Sequence, residues 1–422
     1  MKFLHTSDLH LGKSVHEFSM LEDQRVMLHQ ILGIAKAEAV DAVVIAGDVY
    51  DRSIPSGEAV MLLDAFLSEL AKEGIPVLLI SGNHDSAERL GFMSGPLTGS
   101  SIYIAGGTQK PVRQVTLQDD LGPVHFFLLP FCKPAQFGAG SSEEAVRALL
   151  AETSGLYGEG KTETEGTGTA ERETGTGASP AAVDERRVLV THFFVTAAGR
   201  LPEFAGAERD AGANMAVSAY NMGDNATVDV GGIDNIDVSA FEGFDYVALG
   251  HIHKAQQIGT GHVYYSGAPL AYSFGEAGTE KSVQIVTLRE KGQVQTEKRI
   301  LRPRRKMRVV TGTLEELLEA GRLQGPEAED YLQVKLTDKA ELIDPIGRLR
   351  SVYPNVMQLV FAGRPVRGSL DETTCQVHAG HDVEELFARF YLSVRGEPLN
   401  EEDRELLEEI LQELETEEEG AL

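Results

Sequence analysis

Three short apolar runs within residues 1–85 each break off into a cluster of acidic, amide and imidazole side chains. They are Phe3–Asp8 (FLHTSD), Ala42–Asp48 (AVVIAGD) and Val77–Asp85 (VLLISGNHD). Runs this short and this apolar read as buried strands that end in polar loops. Between them, Leu21–Ala39 and Glu58–Glu73 carry apolar residues at three- and four-residue spacing, as amphipathic helices do. Ser56 is placed to cap the second helix and Gly74 to end it. This βαβαβ alternation argues for an α/β architecture.

Beyond residue 150 the chain changes character twice. Residues 154–187 are rich in Gly, Thr and Glu and almost free of large apolar side chains. Such a stretch cannot bury enough surface to offset its ordering entropy, so a mobile insertion within the domain is expected. Strand-like patterning resumes afterwards in Val188–Phe194, Tyr246–His251, Val263–Pro269 and Ser282–Leu288, and Gly199–Gly231 reads as a second extended stretch. From about Arg302 a smaller α+β domain is expected. There short strands (YLQVKLTD, VMQLVF) alternate with helical turns at Leu342–Val352 and Val383–Phe390. Residues 400–419 form an acidic amphipathic pattern. The expected division is 1–300, then a capping domain over 301–400 that contacts DNA or a partner, then an acidic helix and tail over 401–422.

Charge bears on function. Lys plus Arg number 38 against 65 Asp plus Glu, a net of −27. Spread evenly, that charge would repel nucleic acid. It is not even: residues 401–419 carry −10 and residues 151–187 carry −4, while Lys298, Arg299, Arg302, Arg304, Arg305, Lys306 and Arg308 form a basic cluster. That cluster reads either as a strip contacting phosphate or a partner subunit, or as a solvated inter-domain linker. The two cysteines, Cys132 and Cys375, are far apart and outside any CxxC pair, which excludes a disulfide framework or a Cys-zinc site as the organising principle. Asp8 and His10 interrupt the start where a signal peptide needs an apolar core, and no run approaches a membrane span. A reducing cytoplasm is the expected compartment.

The polar residues at the strand ends make a coherent set. In chain order they are Asp8 and His10, then Asp48 and Asp51, then Asn83, His84 and Asp85, then His192, and finally His251 and His253. In open α/β sheets ligands sit outside the carboxyl ends of the strands, so these five groups can converge. Oxygen and imidazole donors without thiolate suit Mn, Fe or Zn. Seven candidate ligands, Asp8, His10, Asp48, Asn83, His192, His251 and His253, exceed what one ion needs and suggest two ions with a carboxylate between them. Gly47, Gly82 and Gly250 would allow tight turns beneath them. Taken singly each fragment is weak: Asp8 could cap a strand end, Asp51 enter a helix, His84 be a hydrogen-bonded loop residue, and His192 a satisfied core histidine.

Together the blocks DLH, GDVYD, GNHD, a lone strand histidine and GHIH resemble the calcineurin-like metallophosphoesterase superfamily. The blocks HTSDLHLGK, FEGFDYVALGHIHKAQ, YSGAPLAYSFGE, YLQVKLTD and LRSVYPNVMQL are similar to the SbcD family of nuclease subunits from bacterial SbcCD complexes, from Met1 to about Glu413. The resemblance implies an α/β fold: a two-sheet β-sandwich flanked by helices, with a smaller C-terminal α+β domain. It implies that Asp8, His10 and His253 hold one ion, that Asn83, His192 and His251 hold the other, and that Asp48 bridges them. His84 would stabilise charge at the scissile phosphate or protonate the leaving oxygen, and Asp51 and Asp85 would orient ligands. Arg302, Arg304, Arg305 and Lys306 are candidate phosphate or partner contacts. Two divalent ions, Mn²⁺ by family habit, would activate water for phosphodiester hydrolysis.

The implied activities are 3′–5′ exonuclease on double strands and endonuclease on single strands and hairpins. The implied partners are an SbcC-like coiled-coil ATPase, docked by part of residues 330–415, double-stranded DNA ends, and a second copy within a heterotetramer. A phosphomonoesterase or cyclic-nucleotide phosphodiesterase of the same superfamily is the alternative, and a scaffold with a vestigial site is a third.

Overall fold

The strands and helices expected between residues 1 and 85 all form. In the computed structural model residues 1–154, 185–203, 235–338, 340 and 342–361 are described. The Gly/Thr/Glu insertion and the second extended stretch lie for the most part outside the described residues. The Val383–Phe390 turn and the acidic helix over 400–419 lie wholly outside them.

In chain order, β1 (Lys2–Thr6), α1 (Leu21–Ala37), β2 (Ala42–Ala46), α2 (Gly57–Lys72) and β3 (Val77–Ile80) make the first part of the fold. β4 (Ile102–Ala105), β5 (Arg113–Asp119), β6 (Gly122–Leu129) and α3 (Ser142–Ser154) follow. Then come β7 (Arg186–His192), β8 (Tyr246–Gly250), β9 (Gln256–Gln257), β10 (Val263–Tyr265), β11 (Ser282–Leu288) and β12 (Val294–Ile300). The Ser56 hydroxyl caps α2 by accepting from the Ala59 N–H at 3.2 Å.

Two six-stranded sheets result, ordered β12-β11-β1-β2-β3-β4 and β9-β10-β8-β7-β6-β5. β1 to β4 run parallel; β11 pairs antiparallel with β1, and β12 pairs antiparallel with β11. In the second sheet β6, β7, β8 and β10 are parallel between antiparallel edges β5 and β9. The alternation of side chains along each strand divides the core into three. Phe3, Val44, Leu78, Phe126, Val190 and Tyr246 fill the space between the sheets. There Phe3 meets Phe126 and Tyr246 edge-on, with ring centroids 5.5 and 5.6 Å apart. Leu4, Val43, Ile45 and Leu79 face the other way, onto Met27 and Ile31 of α1 and Leu63 and Phe66 of α2. Phe127, Leu189 and Leu249 pack with Val146 and Leu149 of α3. This is the two-sheet sandwich flanked by helices.

Strand register places the functional residues. β1 pairs with β2 through Thr6 and Ile45, and β2 with β3 through Ala46 and Ile80, so three carboxyl ends lie side by side. In the second sheet His192, the last residue of β7, pairs with Gly250, the last of β8.

By packing, the chain forms two units. Among the described residues, one comprises Met1–Val309, Gln324–Gln333 and Tyr353–Gln358; the other comprises Val310–Leu323, Val334–Val352 and Leu359–Phe361. β13 (Met307–Gly312), β14 (Tyr331–Leu336) and β15 (Val356–Phe361) form a three-stranded sheet in that order. The second unit contains α4 (Leu314–Leu323) and α5 (Pro345–Arg350), which pack on each other. Asp344 caps α5 by accepting from the Gly347 N–H at 3.1 Å. Among the described residues no helix is long and apolar enough to cross a membrane.

Candidate metal centre

The loops after β1 and β2 are laced together by their backbones. The Asp8 N–H donates to the Gly47 carbonyl at 3.0 Å, His10 to Asp48 at 3.0 Å and Leu11 to Val49 at 2.9 Å. The Asp85 carboxylate ties the third loop to the second, accepting from the N–H groups of Tyr50 (2.8 Å), Val49 (3.0 Å) and Gly82 (2.9 Å). Asp8, His10, Asp48 and His251 all have left-handed backbones, with φ of 53°, 43°, 49° and 99°. Each such conformation costs on the order of 1–3 kcal/mol, and strain of this kind gathers where surroundings over-determine a functional site.

The three glycines act differently from a simple turn. Gly47 alone of them has a positive φ, 87°. A Cβ on Gly82 would lie 2.1 Å from Asp48 Oδ1, and one on Gly250 would lie 2.0 Å from the Ala46 carbonyl. Close approach, rather than turning, requires glycine at those two positions.

The side chains converge on Asp48. Its Oδ2 lies 3.3 Å from His192 Nε2, 3.7 Å from His10 Nε2 and 4.0 Å from His84 Nε2. Donor atoms of Asp8, His10 and His253 all lie within 4.8 Å of one another, and so do those of Asp8, Asp48 and His192 and those of His10, Asp48 and His84. Asn83 Oδ1 stands 3.1 Å from both His192 Nε2 and His251 Nδ1. The His251 N–H donates to Asp8 at 3.0 Å. The seven expected ligands and His84 therefore occupy one site at the carboxyl ends of five strands.

The tautomers follow from the outer contacts. His192 Nδ1–H donates to the Ala46 carbonyl at 2.8 Å, which leaves Nε2 facing Asp48 and Asn83. His84 Nδ1–H donates to the Asp51 carbonyl at 2.9 Å, while its backbone N–H donates to Asp48 Oδ1 at 3.0 Å. His253 Nδ1 faces Glu276 Oε1 at 3.3 Å.

The donor set fits divalent metal. His10 Nε2 and His253 Nε2 face each other at 3.1 Å, two acceptor lone pairs unless a cation or proton lies between them. His10 is 2 % exposed, and burial holds its imidazole well below the usual histidine range, in the neutral form that ligates metal. Burial also opposes charge on His192, but the Asp48 and Asp8 carboxylates outweigh it and push the ring up to about 9. A metal cation between Asp48 and His192 would take the place of that proton.

Several supporting residues escaped the sequence reading. Glu276 backs His253. Gln24 Nε2–H donates to the His10 carbonyl at 2.7 Å, and its Oε1 accepts from the Gly12 N–H at 3.0 Å. The Tyr272 hydroxyl donates to the Leu9 carbonyl. Lys13 Nζ donates to Asp51 Oδ1 at 2.6 Å, so the Asp51 side chain is held by a cation while its carbonyl holds His84. In the basic cluster Arg302, Arg304 and Lys306 are exposed. Arg305 turns inward over the Tyr331 ring (5.7 Å) and faces Asp23 at 3.6 Å. Arg299 pairs with Glu38 at 2.6 Å, and Arg308 with Asp330 at 2.7 Å.

The family described as calcineurin-like phosphoesterase matches residues 1–121. SbcD_C, described as the type 5 capsule protein repressor C-terminal domain, matches residues 303–395. The SbcD subunit of the nuclease SbcCD from Staphylococcus saprophyticus subsp. saprophyticus is 30% identical over 413 residues, 97% of this chain and 98% of the relative. The protein of the same name from Staphylococcus epidermidis is 30% identical over 361 residues, 85% of each chain.

Proposed function

We propose that this chain, which belongs to the SbcD family of SbcCD nuclease subunits, holds two divalent ions in the cluster around Asp48 and hydrolyses DNA phosphodiesters there. Family membership makes it a nuclease, and so a phosphodiester hydrolase. In the proposed assignment Asp8, His10 and His253 hold one ion, Asn83, His192 and His251 the other, and Asp48 stands between. Mn²⁺ is the proposed metal. Bound ions of this kind neutralise phosphate charge, activate water and stabilise the leaving oxygen.

The remaining work falls to the chain's own groups. His84 is anchored through Nδ1–H, so Nε2 faces the cluster. From there, when the ring is protonated, Nε2–H can donate to a phosphate oxygen or pass its proton to the leaving oxygen. Asp85 fixes the loops that carry Asp48 and Asn83. The exposed Arg302, Arg304 and Lys306 are the proposed phosphate or partner contacts. The proposed setting is DNA end processing, repair and recombination in the cytoplasm. The chain would act as a 3′–5′ double-strand exonuclease and single-strand and hairpin endonuclease, dimeric within a heterotetramer whose other subunit is an SbcC-like coiled-coil ATPase.

The observation that carries the proposal is the position of Asp48 Oδ2, within 3.7 Å of imidazole nitrogens from both ligand groups. The test is Mn²⁺-dependent release of nucleotides from linear duplex and nicking of hairpins, by the full chain with and without its ATPase partner. His84→Ala should lower kcat about 10²–10⁴-fold while bound Mn²⁺ is unchanged. Duplex left intact in Mn²⁺ with the partner present, or a small aryl phosphate turned over far faster than DNA, would contradict the proposal.

A further inference from the structure

Behind His253 sits a buried ion pair that the hydrolytic scheme has not used. Glu276 and Lys281 have side chains only 2% and 6% exposed, and they are in direct contact. Glu276 Oε1 also accepts from the Tyr272 N–H and the Ser273 hydroxyl, both at 3.2 Å. The same oxygen faces His253 Nδ1 at 3.3 Å, and Lys281 Nζ–H donates to the His253 carbonyl at 3.2 Å. The pair thus grips His253 at both its ring and its backbone.

A buried ion pair of this kind is a weak source of stability, because desolvating two charges offsets their attraction. Its placement is better explained by what it does to the histidine. A carboxylate accepting from one ring nitrogen fixes the tautomer, orients the ring and makes the other nitrogen a better metal donor. Lys281 contacts the other carboxylate oxygen, Oε2, and so holds Oε1 turned toward the ring. His192 has a different support, the neutral Ala46 carbonyl at 2.8 Å. The two ligand groups are therefore backed unequally.

We infer that Glu276, held in place by its contact with Lys281, is a positioning residue that fixes His253 as an Nε2 donor and selectively strengthens the ion site formed by Asp8, His10 and His253. The inference rests on the metal reading proposed above.

The experiment titrates the metal-free full chain with Mn²⁺ and follows the free ion by electron paramagnetic resonance. Wild type should bind two ions. Glu276→Gln alone strands Lys281 as a buried charge, so the principal variant is E276Q/K281M, which removes both charges at similar volume. Its metal-free Tm should equal or exceed that of wild type. One of its two Mn²⁺ affinities should fall about 10–100-fold and the other stay unchanged. Wild type binding two ions while the double variant keeps both affinities, or loses both together, would overturn the inference alone. Wild type binding fewer than two would overturn the metal reading with it. A second measurement needs no variant: histidine ¹⁵N shifts of the metal-free protein should show His253 protonated at Nδ1, and the opposite tautomer would overturn the inference.

Discussion

At the scale of single residues, Gly82 illustrates how little room the site allows. An added Cβ would fall 2.1 Å from Asp48 Oδ1 and 2.4 Å from the Asp48 backbone nitrogen. Asp48 cannot step aside, because the His84 N–H holds one of its oxygens and His192 Nε2 stands 3.3 Å from the other. Gly82→Ala should therefore displace the carboxylate from both ligand groups. We expect at least about a 100-fold loss of nuclease activity, with a stability cost of only about 1–3 kcal/mol, the usual range for overpacking. Activity assays beside thermal melts would check this; activity within a few-fold of wild type would show that Asp48 tolerates the shift. The ligand candidates were legible in the sequence because each lies within three residues of the end of a short apolar run. Glu276, Gln24 and Tyr272 were not. They reach the site through the fold, Glu276 from 23 positions beyond His253 and Gln24 from a helix, and no local spacing marks them.

Most of the strands that read clearly from the sequence are buried on both faces, although β6, buried in the same way, was not read. β1, β2, β3, β7 and β8 read as continuous apolar runs because helices and a second sheet cover them. β5 and β12 escaped notice because they are edge strands whose side chains are mostly half-buried or exposed, which blurs the apolar signal. The edge strand β5 is nonetheless tied firmly to the middle of its sheet. Arg186, 3 % exposed on β7, reaches across β6 to the Asp119 carboxylate, with Nη1 at 2.9 Å from Oδ2, and donates to the Gly122 carbonyl at 2.6 Å. The guanidinium holds the Asp119 carboxyl well below the usual carboxylate range. A carboxyl with a depressed folded pKa stabilises the protein above its ordinary pKa, near 4, and that contribution is lost as the pH falls from there toward the folded value. Asp119→Asn should thus cost about 3–5 kcal/mol at pH 7, by leaving Arg186 buried without its counter-charge. The gap to wild type should narrow below about pH 4. Urea unfolding at pH 7 and at pH 3 measures both; an equal gap at the two values would contradict the linkage.

At the scale of the whole molecule, the net charge of −27 is a matter of placement. About half of it falls in residues 151–187 and 401–419. Much of the remainder that bears on function is gathered as carboxylates around one cluster, where bound cations would offset it, while Arg302, Arg304 and Lys306 stay exposed. Two sheets, each ending in the same region, turn five separate sequence fragments into one site, and everything proposed for the chain depends on that site holding two ions. Anomalous diffraction at the manganese edge, from crystals of the full chain grown with Mn²⁺, tests this most directly. Wild type should show two peaks about 3.5–4 Å apart on either side of Asp48. One peak, or two peaks away from Asp8, Asp48 and Asn83, would contradict the dinuclear site and the hydrolysis built on it.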